Sequence, residues 1–184
     1  MTERRHVFLI GFRGAGKTTV AKHLASLLQI EVAEMDQAIE ALAGKSITSI
    51  FVEDGEDTFR DIETSILQTI CRSSRSTYVV STGGGVILRP ENRELIGTHG
   101  IAVYLQATPE TLWNRVQEDS AARPSLQKPG QAIEGLAEMV EVLKRREPLY
   151  RETADLIIST EDQSPEQIAT TICRSINENR GGMA

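Results

Sequence analysis

Residues 7–18 read Val-Phe-Leu-Ile-Gly-Phe-Arg-Gly-Ala-Gly-Lys-Thr. Val7-Phe8-Leu9-Ile10 is a short apolar run, and Gly11 to Thr18 match the phosphate-loop pattern G-x-x-x-x-G-K-[ST]. The placement makes the match informative. A buried strand feeds the loop, and after it Val20, Leu24 and Leu27-Leu28 recur at helical spacing. A helix beginning at Lys17 aims its first backbone N–H groups at a phosphate, while Gly11, Gly14 and Gly16 permit a backbone path that side chains would block. In such a loop Lys17 reaches the β/γ-phosphates and the Thr18 hydroxyl ligates Mg²⁺. With glycine at about 7% of average usage, two glycines at this spacing occur by chance about once in 200 windows, and the following Lys-Thr makes coincidence rarer still.

The other bounds are set by size and charge. At 184 residues the chain suits one α/β domain and is too short for two. A net charge of −6 argues against bulk nucleic-acid binding, which shows a basic face. No stretch approaches the ~20 apolar residues of a membrane span, and Met1-Thr-Glu-Arg-Arg5 lacks a signal-peptide core, so a cytoplasmic protein is expected. Cys71 and Cys173 read as small core residues of helices, and His6, His23 and His99 are too scattered for a metal site. Any metal is expected to arrive with the nucleotide.

Outward from the loop, β-rich runs alternate with helical patterns. The reading is strand 6–10, helix 17–28, a weak strand near 31–35, helices at 37–43 and 46–73, and strand 77–81. There follow a helix near 91–97, strand 101–105, helix 109–118, helix 132–146, strand 154–158 and helix 165–177. Five strands in βα alternation predict a mostly parallel sheet between helical layers, with ligands at the carboxyl ends of the strands. Residues 119–131 carry two prolines and few apolar residues, and predict a loop between helices, either a lid or a surface excursion.

Beyond the loop, other groups stand in distinctive settings. Glu34-Met-Asp36 closes the second strand, and an extended backbone would put both carboxylates on one side, although capping of the next helix is an equally bland use. Arg60 stands in Phe59-Arg-Asp-Ile-Glu63, Arg123 precedes Pro124, and Arg146 opens Arg-Glu-Pro-Leu-Tyr150 at the end of the long helix. Arginine is the side chain best shaped to clamp a carboxylate or a phosphoryl group. Ser81-Thr-Gly-Gly-Gly85 follows the third strand, and a triple glycine at the ligand edge implies close backbone approach.

Taken together, in this order and spacing, these motifs resemble the shikimate kinase family nearly end to end. The resemblance implies a nucleoside-monophosphate-kinase-like three-layer sandwich with a five-stranded parallel sheet, a substrate-binding segment over about 36–65 and a lid. It implies that Gly14, Ala15, Gly16, Lys17, Thr18 and Thr19 bind ATP and that Thr18 ligates Mg²⁺. Asp36 matches the acidic residue that engages the shikimate hydroxyls, Arg60 and Arg146 the pair that grips its carboxylate, and Gly84 a backbone contact beside the ring. Arg123 matches the lid arginine that reaches the phosphates, and Arg115 and Gln163 align with positions near the adenine. Lys17, Asp36 and Arg123 would then be the catalytic set, in a monomer acting on ATP and shikimate. The chain departs from the family in carrying Glu34 where Asp-x-Asp is usual. Two rival readings remain: a similar kinase acting on gluconate or a nucleoside monophosphate, and a nucleotide-responsive binding module without turnover.

Overall fold

The structure, a computed structural model, describes residues 6–73, 76–122 and 135–181. The described residues form a five-stranded parallel sheet in the order β2-β3-β1-β4-β5. These strands are β1 His6–Ile10, β2 Glu31–Glu34, β3 Tyr78–Ser81, β4 Gly100–Gln106 and β5 Leu156–Ser159. β1 lies at the centre because both its faces are apolar, and every residue in it is buried. Val7 pairs with Val79 and Ile101, and Leu9 with Ser81 and Val103. β2 and β5, at the edges, are partly exposed.

The helices are α1 Lys17–Leu28, α2 Met35–Ala43, a single turn α3 Ile47–Ser49, α4 Gly55–Cys71, α5 Pro90–His99, α6 Pro109–Ala122, α7 Leu136–Thr153 and α8 Pro165–Gly181. Among the described residues no helix is long and apolar enough to cross a membrane. A main core joins the sheet to α1, α5, α7 and α8 through residues such as Leu24, Ile96, Tyr150 and Ile172. A second, smaller core of Ile39, Ile47, Ile50 and Phe59 lies within the 36–65 segment, where Phe51 packs on Phe59 at 4.5 Å between ring centroids.

Three helical expectations need correction. The stretch 46–73 is not one helix: it begins as α3, widens into a π-helical turn at Ile50–Asp54, and resumes as α4 from Gly55, whose φ of 87° interrupts the ladder. The long helix expected to stop at 146 runs through Pro148 to Thr153, because Tyr150 is drawn fully into the core beyond it. The loop expected from 119 starts later, since α6 continues to Ala122; the rest of that segment, Arg123 included, lies outside the described residues. A short 3₁₀ turn at Val86–Leu88, which no periodicity signalled, follows the triple glycine.

Candidate active site

The phosphate loop joins the carboxyl end of β1 to α1. Gly16 caps α1 in the left-handed region (φ 83°), offering no side chain, and the first turn carries no acidic residue. The positive end of the helix dipole is therefore uncompensated within its own first turn and suits an anion. Gly14, at φ 81°, also has no room for a Cβ, which would lie 2.9 Å from the Leu112 carbonyl oxygen. Lys17 is buried, and its Nζ donates to the carbonyls of Gly11 and Phe12, both at 2.9 Å. Burial pulls its pKa down to about 8; the Asp36 carboxylate opposes the shift and the Arg13 guanidinium adds to it. An ammonium has three donors, so Lys17 braces the loop and keeps one N–H for a ligand. Thr18 and Thr19 are exposed at the helix start.

The acidic pair is arranged differently from the expectation. β2 ends at Glu34, and Asp36 belongs to the first turn of α2, so the two carboxylates do not share one face of an extended strand. Buried Met35 explains this, since it anchors the helix start in the main core. Asp36 faces the site: its Oδ1 would lie 3.3 Å from a Cβ on Gly83, and its charge acts on Lys17. Glu34 stands in register with Ser81 and reaches Lys22 Nζ at 3.8 Å. Ser81 in turn places its hydroxyl 3.2 Å from that of Thr18. The Thr18 and Ser81 hydroxyls are paired oxygen donors at the loop, of the hard kind that Mg²⁺ takes, and Glu34 stands on the neighbouring strand in register with Ser81.

On the other side of the loop, α4 delivers Arg60 and α7 delivers Arg146 to the glycines after β3. Arg60 Nη1 donates to Glu63 Oε2 at 2.8 Å, and its Nε and Nη2 donate to Glu56 Oε1 at 3.3 and 3.1 Å. Its guanidinium also lies 4.9 Å from the centre of the Phe59 ring. Glu63 is 0% exposed, and its second oxygen, Oε1, has no hydrogen-bond partner. Burial raises its pKa, against the lowering effect of Arg60. The triple glycine answers these side chains one by one. A Cβ on Gly85 would fall on the Arg60 guanidinium, one on Gly83 would lie 2.9 Å from Glu63 Oε1, and one on Gly84 would crowd the Arg13 N–H at 3.3 Å. The Gly84 carbonyl accepts from Tyr150 Oη and, at 3.5 Å, from Arg146 Nη1. Arg146 sits 5.7 Å from the ring centre of Phe12, a loop residue. Two cations thus flank a backbone seat beside the phosphate loop, which suits a small carboxylate.

A cavity of about 250 Å³ opens at the far end of the loop, between α1, α6 and the start of α8. Ala15, Gly16, Thr19, Arg115, Thr160, Gln163 and Pro165 contribute to its walls. Arg115 is held rigidly, with Nη1 on Thr160 Oγ1 at 2.9 Å and Nη2 on the Thr160 carbonyl at 2.8 Å. Gln163 Nε2 donates to the Ser159 carbonyl at 3.0 Å. Glu161 joins the two walls: Oε1 accepts from the Thr108 N–H at 2.7 Å and Oε2 from Thr111 Oγ1 at 2.8 Å. The Thr108 backbone bond is the main reason that its pKa is lowered.

The structure therefore brings Gly14 to Thr19, Asp36, Arg60, Gly84 and Arg146 to one cleft, with Arg115 and Gln163 at the adjoining cavity. Glu63, Tyr150 and Ser81 stood inside recognisable motifs but had no role proposed from sequence, and Glu161 was missed. The signal for Ser81 is its position at the end of a buried strand, whereas nothing local distinguishes Glu161 from a solvated acid.

A phosphate loop on a 2-3-1-4-5 parallel sheet, opening on a base-sized cavity and a cationic acceptor cleft, defines a small-molecule kinase of the phosphate-loop class. The model of the family described as shikimate kinase matches residues 13–177. The shikimate kinase of Pasteurella multocida (strain Pm70) is 41% identical over 98% of this chain and 100% of its own length. The chain belongs to the shikimate kinase family. Among solved structures, the shikimate kinase from Acinetobacter baumannii in complex with shikimate superposes with a TM-score of 0.84 at 38% identity, covering 95% of this chain and 94% of that one. A gluconokinase from Sinorhizobium meliloti 1021 shares the fold alone, at 15% identity and a TM-score of 0.58, with 98% of each chain covered.

Proposed function

We propose that this cleft transfers the γ-phosphoryl group of ATP to the 3-hydroxyl of shikimate, giving 3-phosphoshikimate and ADP. The observation that carries the reading is the pair Arg60 and Arg146 converging on Gly83–Gly85 beside the phosphate loop. A planar carboxylate on that seat meets two guanidinium donors, and the cyclohexene ring then presents its hydroxyls toward Asp36. The new bond joins the 3-oxygen to the γ-phosphorus as the bridging oxygen leaves with ADP. Asp36 orients the hydroxyl and takes its proton, while Lys17 and the N-terminus of α1 receive the negative charge of the phosphates. Arg123 is proposed to add its charge from the lid. Thr18, with Ser81 beside it and Glu34 on the neighbouring strand, would hold Mg²⁺, and the ion would supply further neutralisation of the phosphate oxygens. Arg115 and Gln163 are proposed to hold the adenine in the cavity. Binding needs neither nucleic acid nor a membrane, and the acidic net charge supports this reading; we propose that a cytoplasmic monomer suffices.

ADP release measured with Mg²⁺-ATP tests the reading, in the presence of shikimate, quinate, gluconate or nucleoside monophosphates, with the product identified by mass. Shikimate-dependent release is expected. Turnover only with gluconate or a nucleotide would move the acceptor assignment away from the two arginines, and ATP binding without any turnover would favour the binding-module reading.

Two further results are expected at this site. Because burial pulls the Lys17 pKa down to about 8 in the unliganded site, kcat/KM for ATP should fall as pH rises above about 8. The corresponding limb in kcat should appear at higher pH, since bound phosphates favour the ammonium. The stability contribution of Lys17 has the opposite sign. Its folded pKa is depressed below the ordinary 10.5, so between about 8 and 10.5 the unfolded chain binds more protons and this group's contribution rises with pH. A pH–rate profile with no alkaline limb would remove the charged lysine from phosphate binding. Separately, Glu161→Ala should raise the ATP KM about threefold to tenfold by uncoupling the two walls of the cavity, with the shikimate KM within about twofold of the parent.

A further inference from the structure

Tyr150 closes the Arg146-Glu-Pro-Leu-Tyr150 motif, and its setting is unusual. It is 0% exposed, and its ring stacks on Tyr104 at 5.0 Å and 15°. Its hydroxyl donates to the carbonyl of Gly84, an oxygen that also lies 3.5 Å from Arg146 Nη1. Burial raises the phenol pKa, so the group stays a donor at any working pH.

The peptide that Tyr150 holds joins two glycines. Glycine backbones rotate with little steric penalty, so nothing within Gly84-Gly85 decides which way this peptide faces. A trans peptide is planar and its C=O and N–H point in opposite directions. Fixing the Gly84 carbonyl on Tyr150 therefore turns the Gly85 N–H away from Tyr150, beside the Cα over which the Arg60 guanidinium lies. The same carbonyl draws Arg146 to the seat. We infer that Tyr150 is a positioning residue for acceptor recognition: by holding the Gly84 carbonyl it presents the Gly85 N–H, together with Arg60 and Arg146, to the acceptor's carboxylate. This rests on the reading of the cleft as the shikimate site.

Tyr150→Phe removes one oxygen and keeps the ring. Its shikimate KM should rise about fivefold to tenfold while the ATP KM stays within about twofold. With the analogue whose carboxylate is reduced to a hydroxymethyl group, variant and parent should have the same KM. Tyr104→Phe, which removes the hydroxyl of the stacked ring but not the Gly84 contact, should leave both KM values unchanged. In the parent protein labelled with ¹⁵N-glycine, the Gly85 amide resonance should shift when shikimate is added; no shift would overturn the proposal even if Tyr150→Phe failed to fold. An unchanged shikimate KM in folded Tyr150→Phe, or an equal rise for both substrates, would also overturn it. Arg146→Ala separates the two levels of the argument. If it weakens shikimate and Tyr150→Phe does not, the positioning role is wrong; if neither does, the acceptor site has been misplaced and the proposal falls with it.

Discussion

Lys17→Met is expected to lower kcat by about 10²–10³-fold or more, because it removes a preorganised charge from the phosphates where negative charge must be received. The structure adds a second consequence. Lys17 Nζ also binds the carbonyls of Gly11 and Phe12, and methionine leaves both without that donor. Binding of ADP should therefore weaken as well as turnover, since the loop that presents the N–H groups loses its internal brace. Titration with ADP alongside steady-state kinetics distinguishes these two effects. Turnover near the parental rate would exclude Lys17 from the mechanism.

Arg60→Ala is expected to act on both stability and acceptor binding. Glu63 is fully buried, and Arg60 is its hydrogen-bonded cation. Deleting one partner of a buried pair costs about 3–5 kcal/mol, because the remaining charge is stranded. The Glu63 carboxyl already has a raised pKa with Arg60 present, and without it the pKa should rise further. A raised folded pKa means that stability is lost as pH climbs from the ordinary carboxyl range through the folded value. The melting temperature deficit of Arg60→Ala should thus shrink in acid. Adding Glu63→Gln should restore much of the melting temperature near neutrality, while the shikimate KM stays high. Recovery of both properties together would mean that Arg60 serves only the fold.

The legible parts of this chain are those whose reasons are local. The phosphate loop, β1 and α1 were placed within a residue because an apolar run, three glycines and a helical period sit side by side in Val7–Leu28. The parallel sheet followed from the βα alternation. Where tertiary contacts decide, local rules misled. Pro148 reads as a helix stop, yet the burial of Tyr150 and its bond to Gly84 carry α7 onward. Asp36 reads as a strand residue, yet Met35 turns the chain into α2. The orphaned oxygen of Glu63 and the bridging of Glu161 depend on segments far apart in sequence, and no pattern in either neighbourhood encodes them.

The central place of β1 also bears on how the molecule assembles. The phosphate loop is encoded by residues 11–18, but its supporting strand has both edges hydrogen-bonded to segments synthesised much later, β3 at Tyr78–Ser81 and β4 at Gly100–Gln106. Parallel neighbours cannot zip up from a hairpin, and long-range pairings are entropically slow to form. On an emerging chain the nucleotide loop is thus translated before its supports and completed late: β4 must pair with β1, and Thr160, Gln163 and Pro165, which wall the cavity, must follow it from the ribosome. Nucleotide affinity in a series of lengthening nascent chains should appear abruptly once the start of α8 is free, which makes ATP binding a reporter of folding as much as of catalysis.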